Sequence, residues 1–197
     1  MARTPDLERR QELLDRIVEY LADHGLAQAT LRPMAASLGV SINRLVHHFG
    51  SKEELLAAAL QRAMDMQAEV QKGWLARNPN LTMPGLYRKW WRWINESRRN
   101  LALVRLNYEA AALDTDITGL SGAVRAEQIG VWRQLAALQL EQQGLAHDAA
   151  ALEASLAKAA FTGLVMDLLA TGDRRRLNGA FAEWLRRFES AIDDART

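Results

Sequence analysis

The chain contains no cysteine, and only four prolines and four histidines among its 197 residues; each scarcity closes off a class of function. Without cysteine there are no disulfides and no thiolate metal sites. With His24, His47, His48 and His147 as the whole supply, a histidine-based catalytic or metal site has few parts, and the adjacent His47 and His48 leave a helix in different directions. There is no Gly-rich phosphate loop, no His-Glu-x-x-His pair and no nucleophile elbow, so neither an enzyme nor a cofactor is expected. No apolar run approaches the length of a membrane span, and the opening MARTPDLERR lacks a signal peptide's hydrophobic region. A cytoplasmic protein with no membrane partner is the expectation. Charge excess is missing too: the net charge is +1, and residues 1–52 hold seven basic against six acidic side chains. A non-specific polyanion binder needs a large basic excess to gain from counterion release, so any nucleic-acid contact here must be local and well placed.

What the chain does have is hydrophobic content, at 49%, spaced with the period of helices. No strand-like alternation or internal repeat occurs, which predicts an all-α fold. Asp6 to His24 reads as a first helix, with Leu7, Leu14, Ile17, Val18 and Leu21 as its apolar stripe and Gly25 ending it. Ser51 and Glu54 form a capping box that opens a helix running to about Ala76. A loop at Arg77 to Gly85 follows, and then helices over Pro84 to Leu113, Gly119 to Gln143, His147 to Thr171 and Arg174 to Ala195.

The stretch Thr30 to Lys52, TLRPMAASLGVSINRLVHHFGSK, has the layout of a helix-turn-helix. Thr30 is placed to cap its first helix, with Pro33 tolerated in the opening turn. Gly39 stops that helix where the chain must reverse, Ser41 caps the second, and Leu45 and Phe49 pack it down. Ile42, Asn43, Arg44, Val46, His47 and His48 remain outside the packed stripe. In such a unit the second helix enters the major groove with its N-terminal residues near base edges. That makes Asn43 and Arg44 the base readers, and Arg44 suits the paired acceptors of guanine. Thr30, Arg32, Ser41, His47, His48 and Lys52 complete the expected DNA-binding set, Lys52 at a helix N-terminus that attracts phosphate.

With Thr30, Ala35, Gly39, Val40, Ser41, Leu45, His47, Phe49, Ser51 and Lys52 in this order, the segment resembles the tetracycline-repressor (TetR) family of bacterial transcription regulators. It departs at Asn43, where the family commonly has Gly; at Arg44, where a small or hydroxyl residue is usual; and at Val46, where a phosphate-contacting Tyr is general. The resemblance implies a DNA-binding domain over 1–52 and a helical ligand-binding and dimerisation domain over 53–197, the long fourth helix joining the two. It further implies a homodimer through the C-terminal helices, for which Phe161 to Leu164 resembles the segment used. A face of Leu156, Ala160, Gly163, Leu164, Asp167 and Leu168 would let another helix approach closely.

The second domain is rich in aromatic residues. Tyr87, Trp90 and Trp91 lie in YRKWWRWI, with Trp74, Tyr108, Trp132 and Met166 in neighbouring helices. Such a stripe is ordinarily core, yet a helix aromatic on two faces can touch both a core and a ligand cavity. Arg105, Asn107, Glu109, Asp116 and Asp167 are the polar groups that could orient a guest, Glu109 favouring a cationic ligand and Arg105 a carboxylate. The expected function is a homodimeric repressor released from a palindromic double-stranded operator by a small apolar or amphipathic ligand. The alternatives are a DNA-bound scaffold on the same fold that recruits a protein and has no small ligand, and a purely protein-binding helical adaptor.

Overall fold

In the computed structural model, residues 4–112 and 133–195 are described. They form nine helical segments and, among the described residues, no strand: α1 Thr4–His24, α2 Leu31–Leu38, α3 Ile42–Phe49, α4 Lys52–Arg77, α5 Met83–Glu96, α6 Arg98–Ala112, α7 over 133–142, α8 His147–Thr171 and α9 Arg174–Asp194. The all-α expectation holds, and α8 has the predicted bounds. The loop expected at Asp114 to Thr118, the first part of the helix expected from Gly119, and Trp132 lie outside the described residues.

One expected helix is two. Pro84 to Leu113 breaks at Ser97, whose hydroxyl accepts a hydrogen bond from the Asn100 amide at 3.0 Å and so opens α6 in the manner of a helix cap. No glycine or proline marks the break; a serine in a run of helix formers carries it.

The described residues fall into two compact units, one within Met1–Arg77 and Glu96–Gly122, the other within Asn78–Asn95 and Ala123–Thr197. In the first, which we call the head, α1 packs on α2, α4 and α6, and α4 packs on α3 and α6. The predicted stripe of α1 is buried at Leu14, Ile17, Val18 and Leu21, joined by Leu13 and by Leu55, Leu56 and Leu60 of α4. Leu7 is the exception: at 60% exposed it stands six residues short of the first buried position.

Gly39 ends α2 at φ 66, ψ 33, the left-handed region, and the Val40 amide reaches back to the Ala35 carbonyl at 3.0 Å. The capping box at α4 closes in both directions, Glu54 N to Ser51 Oγ at 3.1 Å and Ser51 N to Glu54 Oε2 at 2.8 Å. Gly50, at φ 80, ψ −110, makes room for it; a Cβ there would lie 1.9 Å from Glu54 Oε2.

The second unit is built on rings. Trp91 stacks on Phe181 with centroids 4.8 Å apart and donates its indole N–H to Asn178 Oδ1 at 2.8 Å. Tyr87 meets Phe161 at 5.0 Å and Trp184 edge-on at 5.1 Å, and Trp184 stacks on Phe188 at 5.9 Å. Arg174 fixes the end of α5 by donating to the Asn95 carbonyl at 2.8 Å. By length and composition α8 could cross a membrane, with a mean hydropathy of 1.3. Its apolar residues serve two faces: Ala150, Ala154, Ala157, Phe161, Val165 and Leu168 point inward, while Leu152, Leu156 and Met166 are exposed. Leu168, expected on the outer face, is therefore core; the exposed stripe runs instead through Leu152, Leu156, Ala159, Gly163, Met166 and Ala170, at alternating steps of four and three.

Candidate nucleic-acid interface and ligand region

The recognition surface starts from how α3 is held. Leu45 and Phe49, one helical turn apart, are buried, and the Ser41 hydroxyl caps the N-terminus by accepting from the Arg44 amide at 3.1 Å. Two arginines of α1 fasten the far ends: Arg10 donates to the His48 carbonyl at 3.1 Å with its guanidinium 4.8 Å above the Phe49 ring, and Arg16 donates to the Leu38 carbonyl at the end of α2. With both ends fixed, Ile42, Asn43, Arg44, Val46 and His47 form an exposed surface on which the first turn carries no acid. His48 is half-buried, its ring edge-on to His47 at 5.4 Å and to Phe49 at 6.3 Å.

Thr30 holds the N-cap position of α2 with extended backbone, φ −127, ψ 149, but its side chain makes no capping bond. The reason lies three residues on, where an N-cap oxygen would look for an amide and finds Pro33, which has none. Its side chain is thus exposed and not committed to the helix. Arg32 is exposed in the same turn, and Lys52 is half-buried in the first turn of α4 beside Glu53 and Glu54.

The expected ligand-binding residues divide between the two units. Tyr87, Trp90 and Trp91 are buried in the second unit, Tyr87 and Trp91 inside the ring cluster and Trp90 edge-on to Trp93 at 5.1 Å. Met166 belongs to that unit but is 47% exposed on the outer stripe of α8. Trp74, Arg105, Tyr108 and Glu109 belong to the head. There Arg105 and Glu109 pair at 3.1 Å, Arg105 donates to the Ala22 carbonyl at 2.8 Å, and Glu109 accepts from the Leu26 amide at 2.8 Å. Trp132 lies outside the described residues.

Sequence reasoning passed over Gln67, which is buried in α4. It donates to the Ala63 and Leu103 carbonyls and accepts from Asn107 Nδ2 of α6 at 3.1 Å, while the Asn107 Oδ1 is buried with no hydrogen-bond partner among the described residues. Arg10 and Arg16 were missed as well; nothing local distinguishes an arginine that closes another helix from one in solvent. Among the described residues no group of three His, Cys, Asp or Glu could hold a metal.

Residues 13–59 match the sequence model for bacterial regulatory proteins of the tetR family, a span that contains α2, α3 and the capped start of α4. This part of the head is similar to that family. Similar curated proteins are the HTH-type transcriptional repressor KstR2 of Mycolicibacterium smegmatis, 40% identical over 57 residues, and the repressor AcnR of Corynebacterium diphtheriae, 37% identical over 62 residues. These alignments cover 29% and 32% of this chain and 28% and 33% of the relatives, so the chain matches about a third or less of the relatives' length. Solved structures extend the likeness of fold along the chain. The multidrug binding protein EbrR complexed with imidazole is 27% identical with a TM-score of 0.63, covering 95% of this chain and 93% of its own. A transcriptional regulator from Rhodococcus sp. Rha1 is 22% identical with a TM-score of 0.71, covering 95% and 98%.

Proposed function

We propose that the protein is a homodimeric repressor that binds a palindromic operator through α3 and leaves it when a small apolar or amphipathic ligand binds the helical domain. The observation that carries this reading is the exposed surface of α3, which presents Asn43 and Arg44 from a capped, doubly anchored helix. A helix so fixed can place its first turn against base edges, Arg44 toward a guanine and Asn43 toward its neighbour. Thr30, Arg32, His47 and Lys52 supply phosphate contacts, with Ser41 and His48 at the two ends of the reading helix. The uncommitted Thr30 side chain supports its part, since the missing Pro33 amide leaves it available to a phosphate.

One reading helix covers only a half-site, so the function requires a second copy. The exposed apolar stripe of α8 is the surface for it, because a monomer gains nothing from leaving Leu152, Leu156 and Met166 in water. A ligand that prefers the conformation with mis-spaced reading helices then lowers operator affinity by its differential binding to the two states. The ligand role draws support from EbrR, a multidrug binding protein captured with imidazole and with ethidium at 27% and 26% identity. A DNA regulator of this kind works in the cytoplasm.

The test is selection of bound fragments from genomic DNA, followed by the same selection with Arg44→Ala. The wild type should return one palindromic motif. Arg44→Ala should lose discrimination at one guanine-bearing position, by about 1–3 kcal/mol. Full retention of discrimination would remove Arg44 from the base-reading role.

A further inference from the structure

Two residues on the surface of α3 are poorly suited to water. Ile42 is 36% exposed and Val46 45%, yet both are large, apolar and β-branched. They stand four residues apart and so are neighbours on the helix surface, and Asn43 and His47, also four apart, run alongside them. Packing and helix formation do not account for the pair. Leu45 and Phe49 already hold the helix down, and β-branched residues lower the helix propensity of a segment only eight residues long.

Leu7 and Leu75 are the other large apolar side chains exposed among the described residues of the head, and each stands alone, near the start of α1 and near the end of α4. Isolated exposure of that sort needs no partner. Ile42 and Val46 differ in forming a pair and in sharing their surface with Asn43 and Arg44. A DNA-reading helix limits what such a pair can touch. Phosphate oxygens accept hydrogen bonds, and neither side chain has a donor for them. The base edges of the major groove offer donors, acceptors and one apolar group, the C5-methyl of thymine.

We propose that Ile42 and Val46 read thymine, burying its C5-methyl group against their side chains in each half-site. This deepens the operator reading, on which it rests, by naming a second base beside the guanine assigned to Arg44. Discrimination follows from the chemistry of the wrong base. Cytosine in thymine's place removes the methyl and sets an amino donor against an apolar side chain, where it loses water and gains no acceptor.

The experiment uses the full-length protein and the operator obtained by selection from genomic DNA, resynthesised with deoxyuridine in place of the half-site thymines. Deoxyuridine pairs as thymine does and lacks only the methyl. Affinity should fall about fourfold for each contacted methyl, the worth of one such group removed from water. Because the change is made in the DNA, this comparison does not depend on a variant folding. Ile42→Ala and Val46→Ala should each lower the ratio of thymine to deoxyuridine affinity. Selected half-sites without thymine, equal binding of the wild type to both operators, or a ratio undiminished in both variants would overturn the proposal. The two levels fail differently: a protein that selects no DNA motif takes the operator reading down as well, whereas one that binds its operator and ignores the methyls fails here alone.

Discussion

The carboxylate of Glu109 accepts a hydrogen bond from the backbone amide of Leu26 at 2.8 Å, joining two residues 83 positions apart. Leu26 is buried just beyond the end of α1, where Gly25 takes φ 80 and the chain turns toward α2. Arg105, one turn earlier on α6, donates to the Ala22 carbonyl and pairs with Glu109. Helix α6 therefore closes both an orphan carbonyl of α1 and the amide that follows it.

Removing that acceptor leaves a buried amide unsatisfied. Glu109→Ala should destabilise the protein by about 1–3 kcal/mol, and Glu109→Gln, which still offers an oxygen, by clearly less. Urea denaturation of the three proteins measures this, and equal midpoints would show that water replaces the carboxylate without cost.

Arg10 holds the C-terminal end of α3 through the His48 carbonyl, with its guanidinium over the Phe49 ring. Arg10→Ala should weaken operator binding while leaving the slope of log affinity against log salt unchanged, because no phosphate contact is lost. Lys52→Ala, by contrast, should reduce that slope by about 1. Operator titrations between low and moderate salt separate the two, and a lower slope for Arg10→Ala would make Arg10 a phosphate contact instead.

Leu156 is 54% exposed in the middle of the α8 stripe. Leu156→Glu should change the stability of the isolated protomer by no more than about 0.5 kcal/mol, as for surface substitutions generally. It should nevertheless turn a dimer into a monomer in sedimentation velocity, with loss of operator binding. A dimer that survives this substitution would move the interface elsewhere.

On α9, Arg186 and then Arg187 hydrogen-bond Glu183 and hold its carboxyl down at about 2, from 4.5. A carboxylate with a depressed folded-state pKa contributes stability above its unfolded value, and loses it as pH falls through the folded value. The melting difference between wild type and Glu183→Gln should thus be full above about pH 4.5 and shrink toward zero near pH 2. It should be small throughout, because the group is in solvent. A difference constant over this window would mean that the ion pair does not form in solution.

The parts of the molecule legible in the sequence are those governed by neighbours along the chain. Gly39, Ser41 and the Ser51–Glu54 box each satisfy groups within five residues, so their chemistry can be read from spacing. Thr30 shows where even a local rule needs a second one, since Pro33 cancels the cap that Thr30 offers. The break at Ser97 was not legible because serine is tolerated in helices as well as at their starts. Arg10, Arg16 and Glu109 were beyond reach for a different reason: each satisfies a backbone group 22 to 83 residues away, and only the packed fold brings the partners together.

The head is assembled from two passes of the chain, residues up to Arg77 and a return from Glu96. Its inheritance is constrained accordingly. A single crossover at the end of the tetR-type match, residue 59, would transplant the reading helix but leave behind α6 and most of α4. The recipient would receive Leu26 without Glu109 and Asp15 without Arg62. Swapping operator preference between relatives by cut and splice should therefore fail more often than changing Asn43, Arg44 and Val46 in place. Evolution of new targets on this scaffold is expected to proceed by substitution on the surface of α3 rather than by exchange of whole heads.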